Sequence, residues 1–172
     1  MGYITTVLPR EQRVKAGPKN GAIAAATVAI DPTGGVNVVV ASAPAGQGHR
    51  TVCAQVVADV FGVPLDGVRI TATRTDKVPN TSATAASSGS DLNGMAALDA
   101  ATQIRDRLAA LIAGETGVDP ADVRFAQGQV IAGATSMAFG DLCRLAHFRQ
   151  VSLAASGYYA TPDIYYDRAT HS

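Results

Sequence analysis

Between Arg74 and Ser90 the chain carries one large apolar side chain, Val78, and no aromatic ring. A segment of that composition cannot hold itself together by packing. Ordered connections longer than about 12–15 residues are uncommon in compact domains, and those that occur are often functional. This one is rich in Thr, Ser, Asn and Gly, so it offers hydroxyls and backbone groups in place of a core. More regular sequence bounds it. Val68–Thr73 alternates apolar and polar residues as a strand does, and Asp91–Ala113 has helical spacing. An idle surface loop and a loop built for a ligand fit this composition equally well.

The rest of the chain limits what such a loop can serve. Of 172 residues, 32 are alanine, whereas Val, Ile, Leu and Phe together make 39. The expectation is therefore an ordered, Ala- and Gly-rich α+β domain over residues 1–172, with a thin core. Fourteen basic residues balance fourteen acidic ones and no long basic run occurs, which argues against nucleic acid as the main partner. No stretch reaches the ~18 apolar residues of a membrane helix, and the first residues lack the apolar centre of a secretory signal. Cys53 and Cys143 are too few and too far apart for a disulfide framework or a zinc site. A cytoplasmic protein with reduced thiols is expected.

Local patterns supply mixed strands and two main helices. Met1–Gly21 is irregular and basic, a solvated arm or one that wraps a partner. Ala22–Asp31 and Gly35–Ser42 read as strands joined by the turn Asp31-Pro32-Thr33-Gly34-Gly35. Val52, Cys53, Val56, Val57, Val60 and Phe61 recur at helical spacing, and Gly62 and Pro64 stop that helix. In the second helix Met95, Ile104, Leu108, Leu111 and Ile112 should face inward, with Ser90 as N-cap and Gly114 and Gly117 at the end. A short hairpin around Gln127-Gly128 follows, joining Asp119–Phe125 to Gln129–Ala132. A short helix over Phe139–Phe148 and a last strand over Val151–Ser156 complete the reading.

Gly46-Gln47-Gly48-His49 opens the first helix. Unpaired backbone N–H groups and the positive end of the helix dipole meet there, a favourable place for an anion such as phosphate. Glycines on both sides of Gln47 allow close approach to the backbone. The Arg74–Ser90 loop also runs into a helix N-terminus. Other chemistries lack support. His49, His147 and His171 are scattered, no GxSxG turn is present, and the carboxylates are dispersed.

Taken together, Gly46-Gln47-Gly48-His49 before an amphipathic helix and the run Thr75 to Gly94 resemble the molybdenum-binding subunit of the xanthine dehydrogenase and aldehyde oxidase family. The segment Val151 to Pro162 continues the resemblance, which covers nearly the whole chain. Met1 to about Pro64 looks closer to a carbon-monoxide-dehydrogenase-like branch, and Thr75–Gly94 to xanthine dehydrogenases proper. The resemblance implies that Gly46, Gln47, Gly48 and His49 lie beside a molybdopterin cofactor, and that Thr84, Ala85, Ala86 and Ser87 line the cofactor and the substrate side.

The family hydroxylates electron-poor carbons of purines, N-heterocycles or aldehydes. A glutamate serves as base, and electrons leave through iron–sulfur centres to FAD. The segment bearing that glutamate has no counterpart here, so no catalytic and no metal-ligating residue is assigned. The expected setting is a multi-subunit complex with companion molybdenum-, iron–sulfur- and flavin-binding chains and a small-molecule substrate. A non-catalytic structural module, or a truncated product of the same family, is the alternative expectation.

Overall fold

A computed structural model describes residues 23–74, 76–77, 81–82, 84 and 88–161. The expected arm, Met1–Gly21, lies outside the described residues. The fold is α+β, as expected. A four-stranded sheet is built from β1 (Ile23–Ile30), β2 (Val36–Val40), β3 (Val68–Ile70) and β7 (Ala154–Ala160), in the order β3-β2-β1-β7. β2 and β7 flank β1 antiparallel, and β3 runs parallel to β2. Two helices, α1 (His49–Phe61) and α2 (Ser88–Thr116), pack on this sheet and on each other. A second sheet of β4 (Arg124–Ala126), β5 (Gln129–Ala132) and β6 (Thr135–Ala138) leads into α3 (Phe139–Phe148).

The first hairpin follows from turn chemistry. Asp31 accepts from the backbone N–H and hydroxyl of Thr33 and from the N–H of Gly35, while Gly34 takes φ +96°. These bonds, the hydroxyl's first, hold the Asp31 carboxyl below its ordinary range. On β1 and β2, Ala24, Ala26, Val28, Ile30, Val36, Val38 and Val40 face the helices and are buried. The opposite face is half-buried, as period-two alternation requires.

The apolar stripe of α1 is turned from its expected centre. Cys53, Ala54, Val57, Ala58 and Phe61 are buried, while Val52, Val56 and Val60 are only half-buried. Facing α2 with alanines lets the two backbones approach closely, so small residues take the inner positions that the larger valines were expected to fill. Gly62 ends the helix in the left-handed region at φ +60°.

The second helix is longer than its periodicity suggests. It begins at Ser88, so Ser90 lies within the first turn and is no N-cap. That turn is held by Asn93 Nδ2, which donates to the Gly89 carbonyl at 2.9 Å. At the far end Thr116 Oγ1 donates to the Ile112 carbonyl and Gly117 turns the chain at φ +76°, leaving Gly114 inside the helix. Met95 is 38% exposed, contrary to its expected inward place. The sheet side of that stretch is taken by Ala96, Ala97, Ala100 and Ala101, on the face that also buries Ile104 and Leu108, and at 3.6 residues per turn Met95 lies about half a turn round the helix from Ile104.

Several strands also differ from expectation. Of the strand expected over Asp119–Phe125, Pro120–Asp122 form a short 3-10 turn, capped by Asp119 accepting from Ala121 N–H, and the strand is Arg124–Ala126. β3 stops at Ile70, although Thr71 N–H still reaches the Val38 carbonyl at 3.0 Å. β6 was not expected at all, since Thr135–Ala138 has no apolar alternation; pairing with β5 creates it. The last strand is displaced to Ala154–Ala160, because β1 dictates its register from Ile23↔Ala160 to Ala29↔Ala154. Phe139, Leu142, Cys143 and Ala146 of α3 are buried as expected, and Phe139 stacks on Phe61 with ring centroids 5.5 Å apart. Among the described residues no helix is long and apolar enough to cross a membrane.

Candidate functional site

Sheet order brings the two loops to one place. β2 and β3 are parallel neighbours, so the loops that leave their carboxyl ends emerge side by side. The first runs from Ala41 through Gly48 into α1, and the second runs from Thr71 to the start of α2. Crevices at the carboxyl ends of parallel strands are common ligand sites for this topological reason. The start of β1 closes the same end. Ile23 N–H donates to Ser82 Oγ at 3.0 Å, and the Ile23 carbonyl accepts from Ser82 N–H and Thr81 Oγ1.

A direct tie joins the loops. Ala43 N–H donates to Thr84 Oγ1 at 2.9 Å. Next to it, Thr73 Oγ1 donates to the Ser42 carbonyl at 3.2 Å. Thr84 is thus linked to Gln47 through Ala43, whose N–H donates to Thr84 and whose carbonyl accepts from Gln47. Ala85, Ala86 and Ser87 lie outside the described residues.

Gly46 and Gly48 adopt φ +88° and +79°, a region where other residues are strained. A Cβ added at either would meet nothing within 4 Å, so open space stands over both. Gly48 is the N-cap of α1 and has no side chain to offer the free N–H groups, and the first turn holds no acidic residue. The first turn of α1 itself thus sets no like charge before an anion, whereas the first turn of α2 carries Asp91.

Gln47 shapes this loop from within. Its Oε1 accepts from Ala45 N–H, and its Nε2 donates to the Ala43 carbonyl at 3.0 Å and lies 3.4 Å from His49 Nδ1. The backbone partners settle the orientation of the amide, since Ala45 N–H can only donate and the Ala43 carbonyl can only accept.

Ser42, Gly89 and Asn93 also stand at this place, and pattern reading did not single them out. Ser42, His49 and Asn93 are the buried polar residues among the described core, and Ser42 Oγ and Asn93 Oδ1 have no partner. Gly89 seats the His49 ring: a Cβ there would stand 2.2 Å from His49 Cε1. The available sequence signal was an asparagine and a glycine in a helix's first turns, where neither favours helix.

These features suit a cofactor gripped through its organic part. Open glycines and uncapped N–H groups fit phosphate and heterocycle edges. Among the described residues no group of three His, Cys, Asp or Glu could hold a metal ion.

Known proteins share this architecture. A xanthine dehydrogenase of Calliphora vicina is 40% identical over 122 residues, covering 71% of this chain and 8% of that enzyme. The xanthine dehydrogenase of Emericella nidulans is 39% identical over 143 residues, covering 83% and 9%. Quinoline 2-oxidoreductase from Pseudomonas putida 86 superimposes with a TM-score of 0.79 at 30% identity, over 92% of this chain and 21% of that one. Carbon monoxide dehydrogenase from Oligotropha carboxidovorans gives 0.72 at 26% identity, over 81% and 18%. The chain thus spans less than a tenth of these xanthine dehydrogenases. The molybdopterin cofactor-binding domain family matches residues 1–172 throughout, and the chain belongs to it, as a molybdopterin-binding portion of xanthine-dehydrogenase-like molybdenum hydroxylases.

Proposed function

We propose that this chain forms one wall of the molybdopterin pocket in a cytoplasmic hydroxylase acting on a purine, an N-heterocycle or an aldehyde. The carrying observation is the Ala43–Thr84 bond, which unites the two candidate loops into one surface. In this reading Gly46, Gln47, Gly48 and His49 present backbone N–H groups and open space to the cofactor, while Thr84, Ala85, Ala86 and Ser87 line its other side. When bound, the cofactor supplies hydroxylation of an electron-poor carbon and accepts the electrons removed. The chain's own part is to hold, orient and exclude water.

Companion molybdenum-, iron–sulfur- and FAD-binding segments would complete the pocket, the electron path and the base. The test is elemental and pterin analysis of the complex formed with those companions. Molybdenum present with the natural chain and reduced on Gln47→Ala supports the proposal; a molybdenum-free complex sinks it.

A second reading is a structural module that keeps the fold without cofactor. It is favoured by Gln47, whose amide oxygen and nitrogen both bond within their own loop. A molybdenum-free complex that still assembles would select this reading.

A further inference from the structure

We infer that His49 is a positioning residue, which sets the amide of Gln47 and the spacing of the α1 and α2 N-termini. The inference rests on the cofactor reading above, since it concerns the same pocket. His49 is the first residue of α1, yet it is only 8% exposed. Its ring lies against Gly89, the second residue of α2: a Cβ there would stand 2.2 Å from Cε1, 2.9 Å from Nε2 and 3.1 Å from Nδ1. Cε1 stands nearest with the two nitrogens behind it, so the ring points its Cε1 edge at the glycine. Only a residue without a side chain can seat it there. Asn93 fixes that seat from one turn below through its bond to the Gly89 carbonyl. The two helix ends that frame the pocket are therefore spaced by one imidazole ring.

The same ring reaches Gln47. Gln47 Nε2 can only donate, so at 3.4 Å His49 Nδ1 is the acceptor, which assigns the ring proton to Nε2. One amide hydrogen goes to the Ala43 carbonyl and the other faces His49. With both hydrogens held and Oε1 fixed by Ala45, the side chain has one orientation. Without the Nδ1 acceptor, one hydrogen is released and the loop between Gly46 and Gly48 loses its inner brace.

The test uses the full chain, labelled with nitrogen-15, and the complex formed with its companions. In the full chain the Gln47 side-chain NH2, identified by its loss in Gln47→Ala, should exchange slowly with solvent. His49→Leu fills the space without an acceptor and should speed that exchange at least about tenfold, the equivalent of 1.4 kcal/mol. His49→Asn and His49→Gln separate positioning from packing. An asparagine places its amide near the Nδ1 position and a glutamine near Nε2, so the first should retain slow exchange and the second should not. This pair decides the matter even if the leucine variant fails to fold. Unchanged exchange in His49→Leu, or equal exchange in the Asn and Gln variants, overturns the inference.

Pterin released from the complex is the second readout, and it should fall in His49→Gln and recover in His49→Asn. Slow exchange as expected, combined with no pterin in the complex even with the natural chain, would sink the cofactor reading and leave the positioning of Gln47 standing.

Discussion

Gly157 of β7 and Ala96 of α2 meet backbone to backbone: a Cβ on Gly157 would stand 2.1 Å from the Ala96 carbonyl oxygen and 2.5 Å from the Ala100 nitrogen. No flexible side chain lies between them to yield. The alanines of α2 and this glycine together let the helix lie on the sheet edge. Gly157→Ala should therefore destabilise the fold by about 3 kcal/mol, the upper range for overpacking. Gly114→Ala lies in the same helix with nothing within 4 Å, and should stabilise by about 0.5–1 kcal/mol. Urea midpoints of the two variants check this. Shifts of the same sign would contradict the packing account.

The outer edge of β7 is covered by α2. Asp99 Oδ2 accepts from Tyr158 N–H at 3.0 Å, Gln103 Nε2 donates to the Ser156 carbonyl at 3.3 Å, and Arg107 donates to the Ala154 carbonyl at 2.9 Å. Four helical residues rise about 6 Å and two strand residues about 6.6–6.8 Å, so the two periods stay in step over this length. Acceptor and donors are matched to N–H and carbonyls. Replacing Asp99, Gln103 and Arg107 together by Ala should leave helical content intact and bring concentration-dependent association, as uncovered edges do. Sedimentation velocity over a hundredfold range of concentration would show it, and an unchanged monomer peak would count against the edge-cover role.

Both thiols are inert in the fold. Burial pushes Cys53 up to about 11 and, with the negative charge of Asp31 adding to burial, Cys143 up to about 12. A folded-state value raised above the unfolded 9.0 means that the stability is fully present below pH 9. It declines as pH climbs toward 11, because only the unfolded chain gives up the protons. Alkylation by iodoacetamide at pH 8 should therefore wait on unfolding, and a Cys53→Ala, Cys143→Ala double variant should lose less of its stability between pH 9 and 10.5 than the natural chain does. Rapid labelling of native protein would refute the burial.

The Ala43–Thr84 bond depends on one hydroxyl oxygen. Thr84→Val keeps the shape but removes the acceptor for Ala43 N–H, at a cost of about 1 kcal/mol. Thr84→Ser keeps the acceptor. Amide exchange at Ala43 should accelerate in the valine variant and stay near the natural rate in the serine variant. Equal rates in the two would show that the loops are held together by something else.

Much of this architecture is legible locally. The Asp31–Gly35 turn, the span of α1 and the apolar side of α3 follow from residues a few positions apart. The two loops were also visible, one by its glycines and one by its length without apolar side chains. Other features were not legible, because their causes lie far away in the chain. Thr135–Ala138 becomes a strand only by pairing with β5. Ser88 starts α2 because Asn93, His49 and Gly89 hold a turn that the apolar pattern does not mark.

By itself the amino-acid order determined the α+β class, the helices, the hairpin turn and a resemblance strong enough to name a cofactor class. Periodicity and turn preference act over a few residues, so they are written into the local order. The tertiary structure alone decided that Ala43 meets Thr84 and that His49 rests on Gly89. Those meetings depend on β3 lying parallel beside β2 and on two helices approaching through alanine faces, and such long-range packing has no local signature.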